Sequence, residues 1–235
     1  MSRLSSTNSD AVTKIELNFR DHGAERFADA AKADLALLDD ALACLPTYAV
    51  GTRIFGLERL RPLLDPASAI GSVAAGVLGP AIRPVRAILF DKSPTMNWSL
   101  GWHQDRTICV RARVETDGFG PWTLKAGMHH VEPPMELLAR MVTVRVHLDD
   151  VSAANAPLLI APKSHRLGRV PEAAIARVVS RCGTQICLAQ AGDVWLYATP
   201  ILHASRPASF PARRRVLQVD FAAEDLPNRL EWLGI

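Results

Sequence analysis

The stretch Val142-Thr143-Val144-Arg145-Val146-His147-Leu148 alternates between apolar and polar residues along its length. Successive side chains of a β-strand point to opposite faces of the sheet, so the stretch predicts a strand with one apolar and one polar face. The polar face is compatible with either the interior of a barrel or the solvent. The stretch therefore predicts a strand of a sheet whose apolar face packs in a core and whose other face carries Thr143, Arg145 and His147.

Further strand-like segments lie on both sides of this stretch, and most are short. Pro, Gly and Asn residues separate them, which is the spacing of a jelly roll or barrel. The sequence therefore predicts a mainly β fold with flanking helices, built on a double-stranded β-helix, the cupin-like jelly roll. The segments are 85–90, 107–114, 158–161, 184–188, 194–197 and 215–221.

The first part of the chain has helical composition instead. Ala and Leu dominate residues 24–45 at helical spacing, and residues 57–64 and 67–75 are shorter helix candidates. Another helix is predicted over 171–180, with Pro171 in its first turn. We expect a single domain over 1–235, with a helical part at about 11–80 and a jelly-roll core at about 83–222.

Size and composition restrict the function classes. The chain has 235 residues, about half of them apolar, and its 27 basic and 24 acidic residues give a net charge of +3, too little to indicate nucleic-acid binding. Its four cysteines form no C-x-x-C pair, which favours reduced thiols in a cytoplasmic protein. Residues 1–10 lack the apolar segment of a signal peptide, and no apolar run reaches the ~18 residues of a membrane span. The predicted partner is a small molecule, and the oligomeric state stays open.

A possible metal-binding pattern begins at His103, with Asp105 two residues later and His203 far downstream. Side chains at i and i+2 of an extended segment point the same way, so His103 and Asp105 can reach one ion. Two histidines and one carboxylate form the ligand set of non-haem Fe(II) oxygenases. Taken alone, the pair favours the alternative, an ordinary turn histidine and a surface acid.

An arginine triplet, residues 213–215, follows His203. A guanidinium binds a carboxylate through two parallel hydrogen bonds, as a dicarboxylate cosubstrate requires. Strand alternation places Arg214 on the opposite face from Arg213 and Arg215, so only part of the triplet can point inward. The alternative is a solvated run of charge.

The ordered combination of motifs resembles the phytanoyl-CoA dioxygenase family of Fe(II)/2-oxoglutarate oxygenases. The resemblance covers roughly residues 90–221, over half of the chain. The matching motifs are Trp102-His103-Gln104-Asp105, Leu148-Asp149-Asp150, Asn155-Ala156-Pro157-Leu158, Pro162-Lys163-Ser164-His165-Arg166, Gly192-Asp193-Val194, and His203-x-Ser205 followed by arginine.

The resemblance implies roles for individual residues. His103, Asp105 and His203 would be the catalytic iron ligands, with 2-oxoglutarate and O₂ as cosubstrates. Ser205 and Arg214, two and eleven residues after the distal histidine, would bind the far carboxylate of 2-oxoglutarate. Arg213 is the substitute for Arg214. Lys92 is a further candidate, although its place at the end of a strand favours an ordinary lysine.

The implied activity is hydroxylation of a small organic metabolite, with release of succinate and CO₂. Halogenases of this type leave the carboxylate position open, whereas Asp105 fills it here. The alternatives are a jelly-roll metalloenzyme that does not use 2-oxoglutarate and a non-catalytic binding protein of the same fold.

Two turns depart from the family pattern. Ala156 and Lys163 stand where the family usually has glycine. Because glycine eases tight turns, its absence at these two positions predicts that the loops differ locally in shape from the family pattern. It does not affect the prediction of the metal site.

The substrate candidates lie near the iron motif. Residues 113–134 read as a long loop, and such loops are often lids or binding segments. The alternative is a polar surface loop with one packed tryptophan. The predicted substrate-binding residues are Trp122, Lys125, His129 and His130 in this loop, and Gln104, Asn97 and Trp98 beside the iron motif.

Overall fold

A computed structural model describes residues 16–95, 97–210 and 212–235. The prediction about a signal peptide in residues 1–10, and the start of the predicted helical part at 11–15, lie outside these ranges. The single-domain prediction over the whole chain stays a prediction. Within the described ranges, no helix is long and apolar enough to cross a membrane.

Short strands dominate the chain after residue 80. The helices are α1 (Phe19–His22), α2 (Leu35–Leu42), α3 (Ala69–Leu78), α4 (Met135–Ala139) and α5 (Glu172–Cys182), with 3-10 turns at Lys32–Asp34, Glu58–Leu64 and Ser164–Leu167. The strands are β1 (Ala24–Phe27), β2 (Thr52–Ile54), β3 (Arg83–Lys92), β4 (Leu100–His103), β5 (Ile108–Val110), β6 (Trp122–Lys125), β7 (Met128–Val131), β8 (Val142–His147), β9 (Leu158–Ile160), β10 (Gln185–Cys187), β11 (Val194–Ala198), β12 (His203–Ser205) and β13 (Arg214–Ala222).

Two antiparallel sheets form the core. The larger has six strands in the order β1-β11-β8-β13-β3-β2, and the smaller has four in the order β10-β9-β12-β4. Apolar side chains of both sheets meet in one buried cluster, in which Leu158 and Ile160 of β9 pack with Trp195 and Tyr197 of β11. The predicted mainly β jelly roll is therefore confirmed, with a minor helical part at its start.

The two faces of the six-stranded sheet have opposite chemistry. Val144 and Val146 of β8 and Leu217 and Val219 of β13 pack on one face, in a core shared with α2 and α3. Alternation then turns the polar residues of β8 to the other face, toward the smaller sheet. The polar face of this strand lies inside the jelly roll, and the site is built on it.

The prediction of one helix over 24–45 was wrong. Residues Ala24–Phe27 form β1, which pairs with β11 at the edge of the larger sheet. Ala24 is fully buried there, opposite Tyr197. The edge of β11 needs hydrogen-bond partners, and that tertiary demand outweighs the helix propensity of the segment. Only Leu35–Leu42 is α-helical.

The reading of residues 113–134 as one long loop was also wrong. β6 and β7 form a hairpin within it, and β7 pairs with β5 to complete a three-stranded sheet. Trp122 packs with Val131 in a separate apolar cluster beside β5. The segment therefore has a core of its own.

The two turns without the family glycine keep a glycine-like backbone. Ala156 has φ of 50° and Lys163 has φ of 69°, both in the left-handed region. The loop shape is preserved, and the strain of the non-glycine residues is borne locally, at roughly 1–2 kcal/mol per residue.

We expect Lys163→Gly to raise the free energy of unfolding by up to about 1 kcal/mol, because relief of left-handed strain exceeds the extra chain entropy of glycine. Lys163→Ala keeps the strain and serves as the control. Urea denaturation measures both variants, and equal stability of the two would contradict the assignment of strain.

Candidate active site

The two histidines of the predicted metal site face each other across a pair of strands. His103 ends β4 and His203 begins β12, and the two are direct partners in the antiparallel register. Their ring centroids lie 4.2 Å apart. Strand pairing thus brings together residues one hundred positions apart in sequence.

Backbone carbonyls fix the orientation of both rings. Nδ1 of His103 lies 2.8 Å from the carbonyl oxygen of Gly101, and Nδ1 of His203 lies 3.0 Å from that of Ile201. A carbonyl only accepts, so each Nδ1 carries the proton and each Nε2 presents a lone pair. This arrangement of a ligating histidine is the usual one in metal sites.

Asp105 is held by one of its two oxygens. Oδ2 accepts from Nε2 of Gln218 at 3.2 Å and pairs with Nη2 of Arg86 at 3.4 Å. No hydrogen bond from the described residues reaches Oδ1, which is available to a metal. Burial is the largest single influence on Asp105 and raises its pKa, but the charges of Arg86, His203 and His103 and the hydrogen bond from Gln218 together lower the pKa below its ordinary value.

Ligand atoms of His103, Asp105 and His203 all lie within 4.8 Å of one another, and no other such cluster of three occurs in the described ranges. Burial, and then the neighbouring His103, lower the pKa of His203 to about 4. The imidazole is therefore neutral at physiological pH, as a metal ligand must be. The donor set fits Fe(II).

Alternation along β13 separates the arginine triplet. Arg213 and Arg215 point outward, where they pair with Asp91 at 3.1 Å and Asp149 at 2.7 Å. Arg214 points inward and is only 2% exposed. Its Nε has no hydrogen-bond partner in the described structure, and it forms no ion pair with the acidic residues resolved there. Such a buried, unpaired guanidinium is costly unless an anion binds it.

Lys92 lies directly opposite Arg214 in the β3–β13 register and is 3% exposed. Its Nζ donates to the carbonyl of Trp98 at 2.6 Å and to Oγ of Ser205 at 3.3 Å. Burial, and then the charges of Arg214 and Arg145, lower the pKa of Lys92 to about 8. Lys92, Ser205 and Arg214 thus form one buried cluster of polar and cationic groups, called the cationic pocket below.

Two residues of this pocket were missing from the sequence prediction. Arg145 is 7% exposed and donates to Oε1 of Gln218 at 3.0 Å, but its Nε has no partner among the described groups. His147 is 1% exposed, and neither ring nitrogen has a partner in the same ranges. Burial, and then Arg145 and Arg214, lower the pKa of His147 well below its usual value. The alternation of polar residues with valines along β8 was the feature of the sequence that could have identified Arg145 and His147.

Comparison with protein families matches the chain to phytanoyl-CoA dioxygenase (PhyH) over residues 58–216, more than half of its length. The chain belongs to the phytanoyl-CoA dioxygenase family. It is a 2-oxoglutarate-dependent dioxygenase. The family match begins earlier in the chain than the motifs that suggested it. A search of curated proteins found no match.

Solved structures share the fold at low sequence identity. HygX from Streptomyces hygroscopicus, with nickel and 2-oxoglutarate bound, has a TM-score of 0.58 at 15% identity over 87% of this chain and 84% of that one. EctD from S. alaskensis, with bound Fe, has a TM-score of 0.63 at 18% identity over 92% and 80%. The epimerase SnoN, in complex with Fe3+, alpha ketoglutarate and nogalamycin RO, has a TM-score of 0.63 at 15% identity over 90% and 88%.

Two side chains that were predicted to bind the substrate of this dioxygenase instead form hydrogen bonds with the backbone. Gln104 donates from Nε2 to the carbonyls of Gly168 and Pro200 at 2.9 and 2.7 Å and accepts from the amide of Val170 at 2.9 Å. Asn97 exchanges two hydrogen bonds with the backbone of Ala208. Both side chains therefore hold segments of the site together, and neither amide N–H of Gln104 remains for a substrate.

The β6–β7 hairpin carries four of the five remaining candidates and divides them between its faces. Trp122 and His129 lie on the same face as Val131, which packs in the apolar cluster beside β5. Lys125 and His130 lie on the opposite face, so the four cannot meet one substrate together. His130 is buried, with its Nε2 3.0 Å from Sγ of Cys109 and its Nδ1 3.0 Å from the carbonyl of Met128. Trp98, whose ring lies under Nζ of Lys92 at 4.6 Å, does border the pocket.

Proposed function

We propose that His103, Asp105 and His203 bind Fe(II) and that the enzyme hydroxylates a small organic metabolite, releasing succinate and CO₂. The observation that carries the proposal is the convergence of the three ligands next to a buried cationic pocket. A metal site alone is compatible with hydrolysis or passive binding. The unpaired cations beside it supply what a dicarboxylate cosubstrate needs.

The pocket supports 2-oxoglutarate in particular. Arg214, Lys92 and Ser205 would bind the carboxylate far from the metal, with His147 as a further donor. Arg145, which is joined through Gln218 to Asp105, would lie along the chain of the keto acid between that carboxylate and the iron. We propose Arg214 rather than Arg213 as the anchoring arginine, since Arg213 is already paired with Asp91 on the other face of the sheet.

When bound, iron activates O₂ for oxidation of a substrate C–H bond, at the expense of 2-oxoglutarate. The residues of this chain would do the rest: the imidazoles of His103 and His203 and the carboxylate of Asp105 would hold the metal, and the cations would orient the cosubstrate. His103 and Asp105 are only partly buried, so an organic substrate can approach from their side. HygX with hygromycin B bound and EctD with 5-hydroxyectoine bound are consistent with a small-molecule substrate.

We also propose a cytoplasmic location and a single domain over the chain. The four cysteines, all in the described ranges, are unpaired thiols, two of them buried. This usage is typical of a reducing compartment.

Arg214→Met should raise the KM for 2-oxoglutarate at least about 30-fold, because a bound carboxylate loses its buried charged partner, worth roughly 2–5 kcal/mol. Arg213→Met should leave this KM unchanged. Succinate formation in the presence of Fe(II) measures both, including the turnover that occurs without an added substrate. The reverse pattern would mean that Arg213 holds the cosubstrate.

The value of kcat/KM for 2-oxoglutarate should fall as pH rises through about 8. The lowered pKa of Lys92 means that its ammonium, which attracts the carboxylate, is present below this pH and lost above it. Lys92→Met should give a lower value of kcat/KM that stays level across this range. A fall of the same size in Lys92→Met would assign the titration to another group.

A further inference from the structure

Gln218 lies on the inward face of β13, and its amide contacts both halves of the site. Its Oε1 accepts from Nη1 of Arg145 at 3.0 Å and from the hydroxyl of Tyr197 at 3.4 Å. Its Nε2 donates to Oδ2 of Asp105 at 3.2 Å. A flipped amide would face a guanidinium that cannot accept and a carboxylate that cannot donate, so the orientation is fixed.

A second side chain contacts the same carboxylate oxygen. Nη2 of Arg86 pairs with Oδ2 of Asp105 at 3.4 Å, while Nε of Arg86 donates to Asp220 at 2.6 Å. Asp220 in turn accepts from the hydroxyl of Thr143 at 2.9 Å. Held from two sides through Oδ2, Asp105 presents its other oxygen.

We propose that Gln218 is a positioning residue that links Arg145 in the cosubstrate pocket to Asp105 at the metal. Arg145 and Tyr197 set the orientation of the Gln218 amide, and the amide sets the orientation of the carboxylate. The cosubstrate pocket and the metal centre are then one hydrogen-bonded unit. The inference rests on the proposed function, because it takes Asp105 as a ligand and Arg145 as part of the pocket.

The relay predicts that removal of Arg145 changes metal affinity in the direction opposite to the one that simple electrostatics predicts. Arg145 makes no hydrogen bond to a metal ligand among the described residues, and its positive charge repels a divalent cation. By charge alone, its removal would tighten metal binding. If it acts through Gln218, its removal frees the amide, loosens Asp105 and weakens metal binding.

Binding of Mn(II) to the apoprotein without 2-oxoglutarate, followed by EPR of the free ion, tests this sign. We expect Gln218→Met to weaken binding about 10-fold or more, as loss of a hydrogen-bond partner of a metal ligand usually does. Arg145→Met should weaken it by a smaller factor. The double variant should bind no more weakly than Gln218→Met, because the link is already broken.

Two controls separate the relay from the metal site itself. His203→Ala should abolish tight Mn(II) binding, and retention of binding in that variant would overturn the proposed metal site. Arg140→Met, which removes an exposed arginine paired with Glu224, should change nothing. With the metal site intact, tighter binding in Arg145→Met, or additive losses in the double variant, would overturn the relay alone. Should Gln218→Met fail to fold in a thermal melt, the sign for Arg145→Met decides.

Discussion

The antiparallel pairing of β4 with β12 is the constraint on which the site depends. It sets His103 opposite His203, and the chain that leaves β4 carries Asp105 to the inner face of the larger sheet. There, β13 supplies Gln218 to the carboxylate and Arg214 to the pocket four residues away. A slip of one residue in either pairing would turn these side chains to the wrong face, because alternation has a period of two.

The interior of this jelly roll is unusually charged. Arg86 is balanced by Asp220 and Asp105, so that part of the inner face is neutralised by the protein itself. The part lined by Arg145, Arg214 and Lys92 forms no ion pair within the described structure. Buried charge of one sign is costly, and such sites persist where a ligand supplies the opposite charge. In the proposed function, the balanced half lies on the metal side and the unbalanced half on the cosubstrate side.

The features of the candidate site that depend on local spacing could be predicted from the sequence. The i and i+2 placement of His103 and Asp105, and the separation of Arg214 from Arg213 and Arg215, follow from the geometry of an extended chain. The choice of Arg214 as the inward residue came from the family resemblance. Arg145, Gln218 and Arg86 were not predicted, since each is an ordinary strand residue whose role depends on its neighbour in the sheet. For the same reason, Gln104 was assigned to the substrate although it fastens the backbone around Val170, and residues 24–27 were assigned to a helix although they pair with β11.

The central claim is that one metal ion, held by the three ligands, shares the site with a keto acid anchored in the cationic pocket. Anaerobic titration of the apoprotein with Fe(II) and then 2-oxoglutarate tests it directly, by the weak visible charge-transfer band that a keto acid chelated to Fe(II) produces. We predict a band that saturates near about one equivalent of each and is absent in His203→Ala. Iron binding without a band, or no iron binding at all, would contradict the account.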